Sequence, residues 1–110
     1  MKIKKGCVYL VKINPSNSGL KKTRPCVVVQ DNRYNNVIGS SVVIPLSSSS
    51  ELYKRPQNIV EVSSEFLDSR SSILTHLITS VSDDRFVKEI GRVSDVEYKR
   101  IVNSVLDLIE

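Results

Sequence analysis

The chain has 110 residues, 40% of them hydrophobic, and its 16 Lys and Arg against 12 Asp and Glu give a formal net charge of +4. This length predicts one domain, residues 1–110, with a single modest core. No apolar run reaches the ~18 residues of a membrane helix, and residues 1–6 lead into a strand without a signal-peptide core, so we expect a cytoplasmic protein. The positive charge suits a polyanionic partner, although proteins that bind none often carry a charge of this size.

Three strands are predicted in the first half of the chain. Apolar, mostly β-branched runs place them at residues 7–13, 26–29 and 40–44, and turn-forming residues follow each run. Pro45 is expected to end the third strand, because proline cannot donate to a ladder. The short connections between these strands indicate an antiparallel sheet.

Two cysteines lie in these strands. Cys7 and Cys26 belong to separate apolar runs and lack the spacing of a metal site. We therefore expect free thiols that pack as small hydrophobic side chains, and no metal site.

The second half of the chain predicts three more strands and one helix. The strands are expected at residues 58–62, 72–81 and 86–93. In the second of these, strand alternation would place His76 on one face between apolar neighbours. The six predicted strands contain no βαβ unit and no glycine loop for a nucleotide, which favours a small barrel dominated by β-structure.

The helix is predicted to begin at Asp95 and to run to the end of the chain. Ser94 and Glu97 have the spacing of a capping box, and Val93 and Tyr98 that of a hydrophobic staple. Apolar residues then recur at three- and four-residue spacing, which is typical of an amphipathic helix. They are Tyr98, Ile101, Val102, Val105 and Ile109.

A basic loop, Lys21-Lys22-Thr23-Arg24, leads through Pro25 into the second strand. Pro25 has a fixed φ and favours an extended conformation at the preceding residue, so the position of the Arg24 guanidinium should be well defined. A planar fork of five donors suits a phosphate group. The alternative interpretation is an ordinary solvated cation at the end of a strand.

Several motifs together resemble the MazF/PemK (Kid) family of toxin endoribonucleases over nearly the whole chain. They are the first strand ending in Asn14-Pro15, the step from Thr23-Arg24-Pro25 into aliphatic residues, Val42-Val43-Ile44-Pro45-Leu46-Ser47, and the terminal amphipathic helix. The resemblance implies a mainly β fold with a C-terminal α-helix, in the form of a small SH3-like barrel of the MazF/PemK/CcdB type. It also implies a homodimer that cuts single-stranded RNA without a metal or other cofactor and is neutralised by a cognate antitoxin protein.

The resemblance also implies a catalytic site. The family's motif arginine falls on Arg24, and its hydroxyl residue, usually threonine, falls on Ser47. Cleavage of RNA by its own 2′-hydroxyl passes through a dianionic phosphorane, which Arg24 can stabilise by charge and Ser47 by a hydrogen bond. The products would be a 2′,3′-cyclic phosphate and a 5′-hydroxyl. The residues expected to contact the RNA are Lys21, Lys22, Thr23, Gln30, Ser48 and Ser49.

The chain departs from the family pattern at two places. The loop before Arg24 is basic, where many members carry an acidic residue and glutamine. His76 occupies a position where some members have a carboxylate implicated in proton transfer. Histidine can replace that carboxylate as a base, or the side chain only packs on the barrel wall beside Leu74 and Ile78.

Two other classes of function stay open at this level. CcdB-like gyrase inhibitors share the fold but bind their target through an exposed aromatic residue near the C-terminal end of the helix, and this chain has no Trp. A catalytically silent barrel that only binds RNA or its antitoxin is the second alternative. Incubation with single-stranded RNA in chelator separates both from a nuclease.

Overall fold

The computed structural model describes residues 1–13, 23–47, 61–62 and 71–110. The described strands are β1 (Cys7–Lys12), β2 (Thr23–Val28), β3 (Ser40–Ser47), β4 (Glu61–Val62), β5 (Ser71–Ile73), β6 (Thr79–Ser82) and β7 (Phe86–Arg92). Single 3₁₀ turns cover Thr75–Leu77 and Asp83–Arg85, and helix α1 covers Asp95–Ile109. The predicted class, mainly β with a C-terminal helix, is confirmed.

All pairings between the described strands are antiparallel, in the order β4-β5-β3-β2-β1-β7, with β6 also paired to β3. Strand β3 therefore has β2 along one side, while β5 and β6 share its other side. No ladder among the described strands joins β7 to β4 or β6, so this part of the sheet is open.

The core lies on both faces of the sheet, which explains why the first two strands show little alternation of polar and apolar residues. On one face, Tyr9, Val11, Cys26, Val28 and Val43 belong to one buried cluster. The residues between them along the strands form a second cluster, to which α1 contributes Ile101. That cluster is Val8, Val27, Ile44, Leu46, Ile73, Val93 and Ile101. Strands covered on both faces consist of nearly continuous apolar runs.

Helix α1 begins where the capping box predicts. The Ser94 hydroxyl accepts a hydrogen bond from the Glu97 amide at 3.0 Å, and the Glu97 carboxylate accepts one from the Ser94 amide at 2.9 Å. The predicted staple residues, Val93 and Tyr98, pack in the same cluster. Because both signals act within one turn of chain, they need no tertiary information. Of the described residues, none belongs to a helix long and apolar enough to cross a membrane.

The prediction that Pro45 ends the third strand is wrong, because β3 continues to Ser47. The carbonyl of Pro45 accepts a hydrogen bond from the Leu74 amide at 2.9 Å. The amide and carbonyl of one strand residue point to the same side, so the missing N–H of Pro45 faces away from β2. The ladder between β2 and β3 consequently loses no donor there.

The single predicted strand over residues 72–81 is also wrong. Both β5 and β6 pair with β3, but Ile73 lies opposite Leu46 and Thr79 lies opposite Val43. An uninterrupted strand would place His76 opposite Val43, so three extra residues leave the ladder as the turn Thr75–Leu77. The predicted strand over 58–62 appears as β4 at Glu61–Val62, and its first part lies outside the described residues.

Candidate functional site

Arg24 lies near the start of β2, where it pairs with Val11 of β1. Its Nη1 donates a hydrogen bond of 3.0 Å to the carbonyl oxygen of Leu46 on β3. Its Nε is buried and has no hydrogen-bond partner among the described residues. Arg24 as a whole is only partly buried, and a guanidinium held in place by such a contact is suited to an anion.

Ser47 is the last residue of β3, and the residue is 5% exposed. It directly follows Leu46, so the guanidinium of Arg24 contacts the peptide group that joins Leu46 to Ser47. Alternation along the two strands places Arg24 on the same face as Cys26, and Ser47 on the same face as Val43. Since Cys26 and Val43 belong to one cluster, Arg24 and Ser47 lie on one face of the sheet. The structure thus brings together two residues that are far apart in sequence.

His76 lies in the turn Thr75–Leu77 that separates β5 from β6, and it is exposed. The turn is held by hydrogen bonds from the Leu77 amide to the Leu74 carbonyl at 2.9 Å and from the Ile78 amide to the Thr75 carbonyl at 3.1 Å. Leu74 is buried while His76 is exposed. The alternative in which His76 packs on the sheet between Leu74 and Ile78 is therefore wrong.

The remaining predicted RNA contacts are not gathered at one place by the described residues. Thr23 is exposed at the start of β2, next to Arg24. Gln30 lies beyond the other end of β2, about 20 Å from Arg24 if the chain between these two residues is fully extended. Its amide donates to Asn35 Oδ1 at 3.0 Å and to the Ser40 carbonyl at 2.9 Å, so it braces the turn between β2 and β3. Lys21, Lys22, Ser48 and Ser49 lie outside the described residues.

Cys26 lies two residues after Arg24 and is fully buried, as the sequence predicts for a free thiol. Burial raises the pKa of the Cys26 thiol to about 12, although the nearby Arg24 charge lowers it in part. A thiol in this state is neutral at physiological pH and is a poor nucleophile. Cys7 is also free and buried.

Two features of this region have no signal in the sequence. One is the Leu46 carbonyl as the anchor of Arg24, because every residue carries such an acceptor and only strand register selects this one. The other is the buried pair of hydroxyls, Thr75 Oγ1 and Ser104 Oγ, 2.9 Å apart, which joins the turn bearing His76 to α1.

Comparisons with solved structures show the fold. MazF from Deinococcus radiodurans superimposes with a TM-score of 0.82 at 16% identity, covering 99% of this chain and 97% of that one. An endoribonuclease in complex with its cognate antitoxin, from a mycobacterial species, superimposes with a TM-score of 0.76 at 16% identity, covering 98% and 93%. The Mycobacterium tuberculosis toxin MazF-mt6 gives 0.73 at 11% identity, covering 94% and 95%.

A search of curated proteins finds no match for this chain. Among protein families, residues 4–109 match the description of a PemK-like, MazF-like toxin of type II toxin-antitoxin systems. That match covers nearly the whole length of the chain. The chain therefore belongs to the PemK-like, MazF-like toxin family of type II toxin-antitoxin systems.

Proposed function

We propose that this toxin is a metal-independent, sequence-specific endoribonuclease that cleaves single-stranded RNA. The observation that carries the proposal is the Arg24 guanidinium, held at the peptide between Leu46 and Ser47 with a buried Nε that has no partner among the described residues. A guanidinium fixed in this way can bind a phosphate through its planar fork of donors. The resemblance to toxin endoribonucleases supports the same assignment.

In the proposed reaction, the ribose 2′-oxygen attacks the adjacent phosphorus, and the bond from phosphorus to the 5′-oxygen breaks. The products are a 2′,3′-cyclic phosphate and a 5′-hydroxyl. Arg24 stabilises the negative charge that builds up on the phosphoryl oxygens. His76 removes the proton from the 2′-hydroxyl, and Ser47 donates a hydrogen bond to the phosphorane or towards the leaving 5′-oxygen. The leaving 5′-oxygen takes up a proton from solvent water and becomes the 5′-hydroxyl.

The partners in this proposal are single-stranded RNA, a second copy of the chain and a cognate antitoxin protein. The mycobacterial endoribonuclease that shares the fold was solved with its cognate antitoxin, which supports an antitoxin here as well. The RNA would follow a groove formed by both protomers and lined by Lys21 and Lys22. Neutralisation of phosphates by these cations releases counterions, so RNA affinity should fall steeply with salt.

The test is cleavage of a long mixed-sequence RNA in the presence of a chelator, followed by sequencing of the new 5′ ends. We expect fragments whose 5′ ends accept phosphate from polynucleotide kinase without prior phosphatase treatment, and whose cut sites share a short sequence motif. Arg24→Ala serves as the matched control for contaminating nuclease. Intact RNA with the wild-type protein would instead indicate a catalytically silent toxin, and random ends equal to those of the control would contradict the proposal.

A further inference from the structure

The ladder between β2 and β3 stops one pair before it reaches Arg24's anchor. Its register is Val28 opposite Val43, Val27 opposite Ile44, and Cys26 opposite Pro45. The next pair in the same register is Pro25 opposite Leu46.

The pair of Pro25 and Leu46 falls at a position where the backbones of β2 and β3 should form hydrogen bonds with each other. The Val29 amide donates to the Val42 carbonyl at 3.0 Å, and in an antiparallel ladder every second pair is of this hydrogen-bonded type. Residues 27 and 25 lie two and four positions before Val29, so their backbone N–H and C=O groups should also point towards β3. A residue with an amide at position 25 would therefore donate to the carbonyl of Leu46. Pro25 has no N–H and leaves that acceptor open.

The open acceptor is the one that Arg24 occupies. Arg24 Nη1 lies 3.0 Å from the Leu46 carbonyl oxygen, where the amide of residue 25 would otherwise point. A backbone carbonyl within a sheet has to be paired, and here a side chain takes the place of the missing ladder bond.

We infer that Pro25 is a positioning residue: by withholding a backbone donor from Leu46, it reserves that carbonyl for the guanidinium of Arg24. The contact fixes the charged group beside Ser47, on the face of the sheet that both residues share. This role differs from the restriction of φ by the proline ring, since it depends only on the absent N–H. Its catalytic meaning rests on the function proposed above.

The first test is Pro25→Ala, which returns an amide to position 25. We expect this amide to bond with the Leu46 carbonyl, giving slow hydrogen exchange and a scalar coupling through the hydrogen bond between the nitrogen of residue 25 and the Leu46 carbonyl carbon. The Arg24 side chain should lose its anchor, with a change in its guanidinium NMR signals. Displacement of a catalytic group by about 1 Å costs on the order of 10²-fold in rate, so kcat should fall by that factor with KM nearly unchanged.

Two controls separate the missing donor from the rigid ring. In the first, residue 25 is L-lactic acid joined through an ester, which has neither ring nor N–H. We expect wild-type kcat and wild-type Arg24 signals for it, whereas a requirement for the ring would make it as slow as Pro25→Ala. The second is Pro45→Ala, which adds an amide on the side of β3 that faces Leu74 and should leave kcat of the folded fraction unchanged.

The inference is overturned if the amide at position 25 exchanges rapidly in Pro25→Ala while the Arg24 signals and kcat remain those of the wild type. It is equally overturned if the ester analogue loses activity to the same extent as Pro25→Ala. The NMR readouts need no RNA. If the wild-type protein cleaves nothing but the hydrogen bond switches as described, the proposed nuclease function fails and the positioning of Arg24 by Pro25 stands.

Discussion

The hydroxyl of Thr75 donates a hydrogen bond to the hydroxyl of Ser104, in a buried contact between the turn before β6 and helix α1. The two oxygens are 2.9 Å apart, and Ser104 Oγ donates its own proton to the Ile101 carbonyl at 2.7 Å. Because Ser104 has only one proton, Thr75 must be the donor in the pair. This chain of two hydrogen bonds ties the turn that carries His76 to the helix.

The direction of that bond predicts an asymmetry between two variants. Ser104→Ala leaves the buried Thr75 proton without its acceptor and should lower the free energy of unfolding by about 1–3 kcal/mol. Thr75→Val removes the donor while Ser104 keeps its bond to Ile101, so it should cost less. The double variant should be more stable than the sum of the single effects predicts.

Urea denaturation of the four proteins measures this effect, and Asn103→Ala, at an exposed neighbouring position on α1, is the matched control. If Ser104→Ala and Thr75→Val lower the free energy of unfolding by the same amount, the assigned direction of the hydrogen bond is contradicted.

Arg24→Ala should abolish measurable RNA cleavage while the protein stays folded. The substitution removes the charge proposed to stabilise the phosphorane, an effect expected to exceed 10²-fold, whereas in the fold it removes one hydrogen bond, the one that the Leu46 carbonyl accepts. Single-turnover cleavage and a thermal melt measure the two effects. Arg33→Ala is the control, because Arg33 is a highly exposed arginine that pairs with the surface carboxylate of Asp31 and lies over the Tyr34 ring. Residual cleavage by Arg24→Ala close to the wild-type rate would contradict the proposed role.

Ser47→Ala should slow cleavage by roughly 10²–10⁴-fold, because it removes a hydroxyl proposed to assist proton transfer. Ser47→Thr should keep activity, since it retains the hydroxyl and suits a strand. Ser71→Ala is the control: Ser71 is also buried, but it neighbours Ser72, the partner of Ser47 in the register, and so points to the other face. If Ser47→Ala cleaves at the wild-type rate, Ser48 or Ser49 becomes the candidate.

His76→Gln should slow cleavage by about 10²–10⁴-fold, because it removes the side chain proposed to take the proton from the 2′-hydroxyl. His76→Asp should keep activity, since a carboxylate can act as the base in its place. Single-turnover cleavage rates of the two variants and of the wild type measure this effect.

Thermal melts provide the control for the histidine variants. Because His76 is exposed in a turn, neither substitution should change the melting temperature appreciably. A single-turnover rate of His76→Gln that matches the wild type would remove His76 from the mechanism.

Cys26 should resist alkylation in the native state. Its folded pKa of about 12, against an ordinary value of 9.0, means that burial favours the neutral thiol. The associated stability is fully present below pH 9.0 and is lost as the pH rises towards 12. Iodoacetamide at pH 8, followed by mass spectrometry, should modify Cys26 only after urea is added. Rapid modification of native protein would show that β2 is less buried than the structure indicates.

The sequence by itself determined the elements whose signals are local. The capping box of Ser94 and Glu97 marks the start of α1, since its hydrogen bonds span three residues and form before any tertiary contact. The β-branched runs of β1 and β2 could be identified as strands because β-branched residues are enriched in strands and turn-forming residues follow each run. The step from Thr23-Arg24-Pro25 into aliphatic residues and the run Val42-Val43-Ile44-Pro45-Leu46-Ser47, with the terminal helix, were sufficient to indicate the toxin family. The roles that the same motifs give to Arg24 and Ser47 stay predictions.

Only the tertiary structure decided how the strands pair, and the site depends on that pairing. The alternation over residues 72–81 continues unbroken through His76, yet the two halves bind β3 in registers three residues apart, and a turn results. Strand pairing also decided the place of Pro45, which stays inside β3 because its missing N–H faces away from β2. Backbone carbonyls are alike at every residue, so the anchoring of Arg24 to the Leu46 carbonyl is set by the register between β2 and β3, which no local sequence signal specifies.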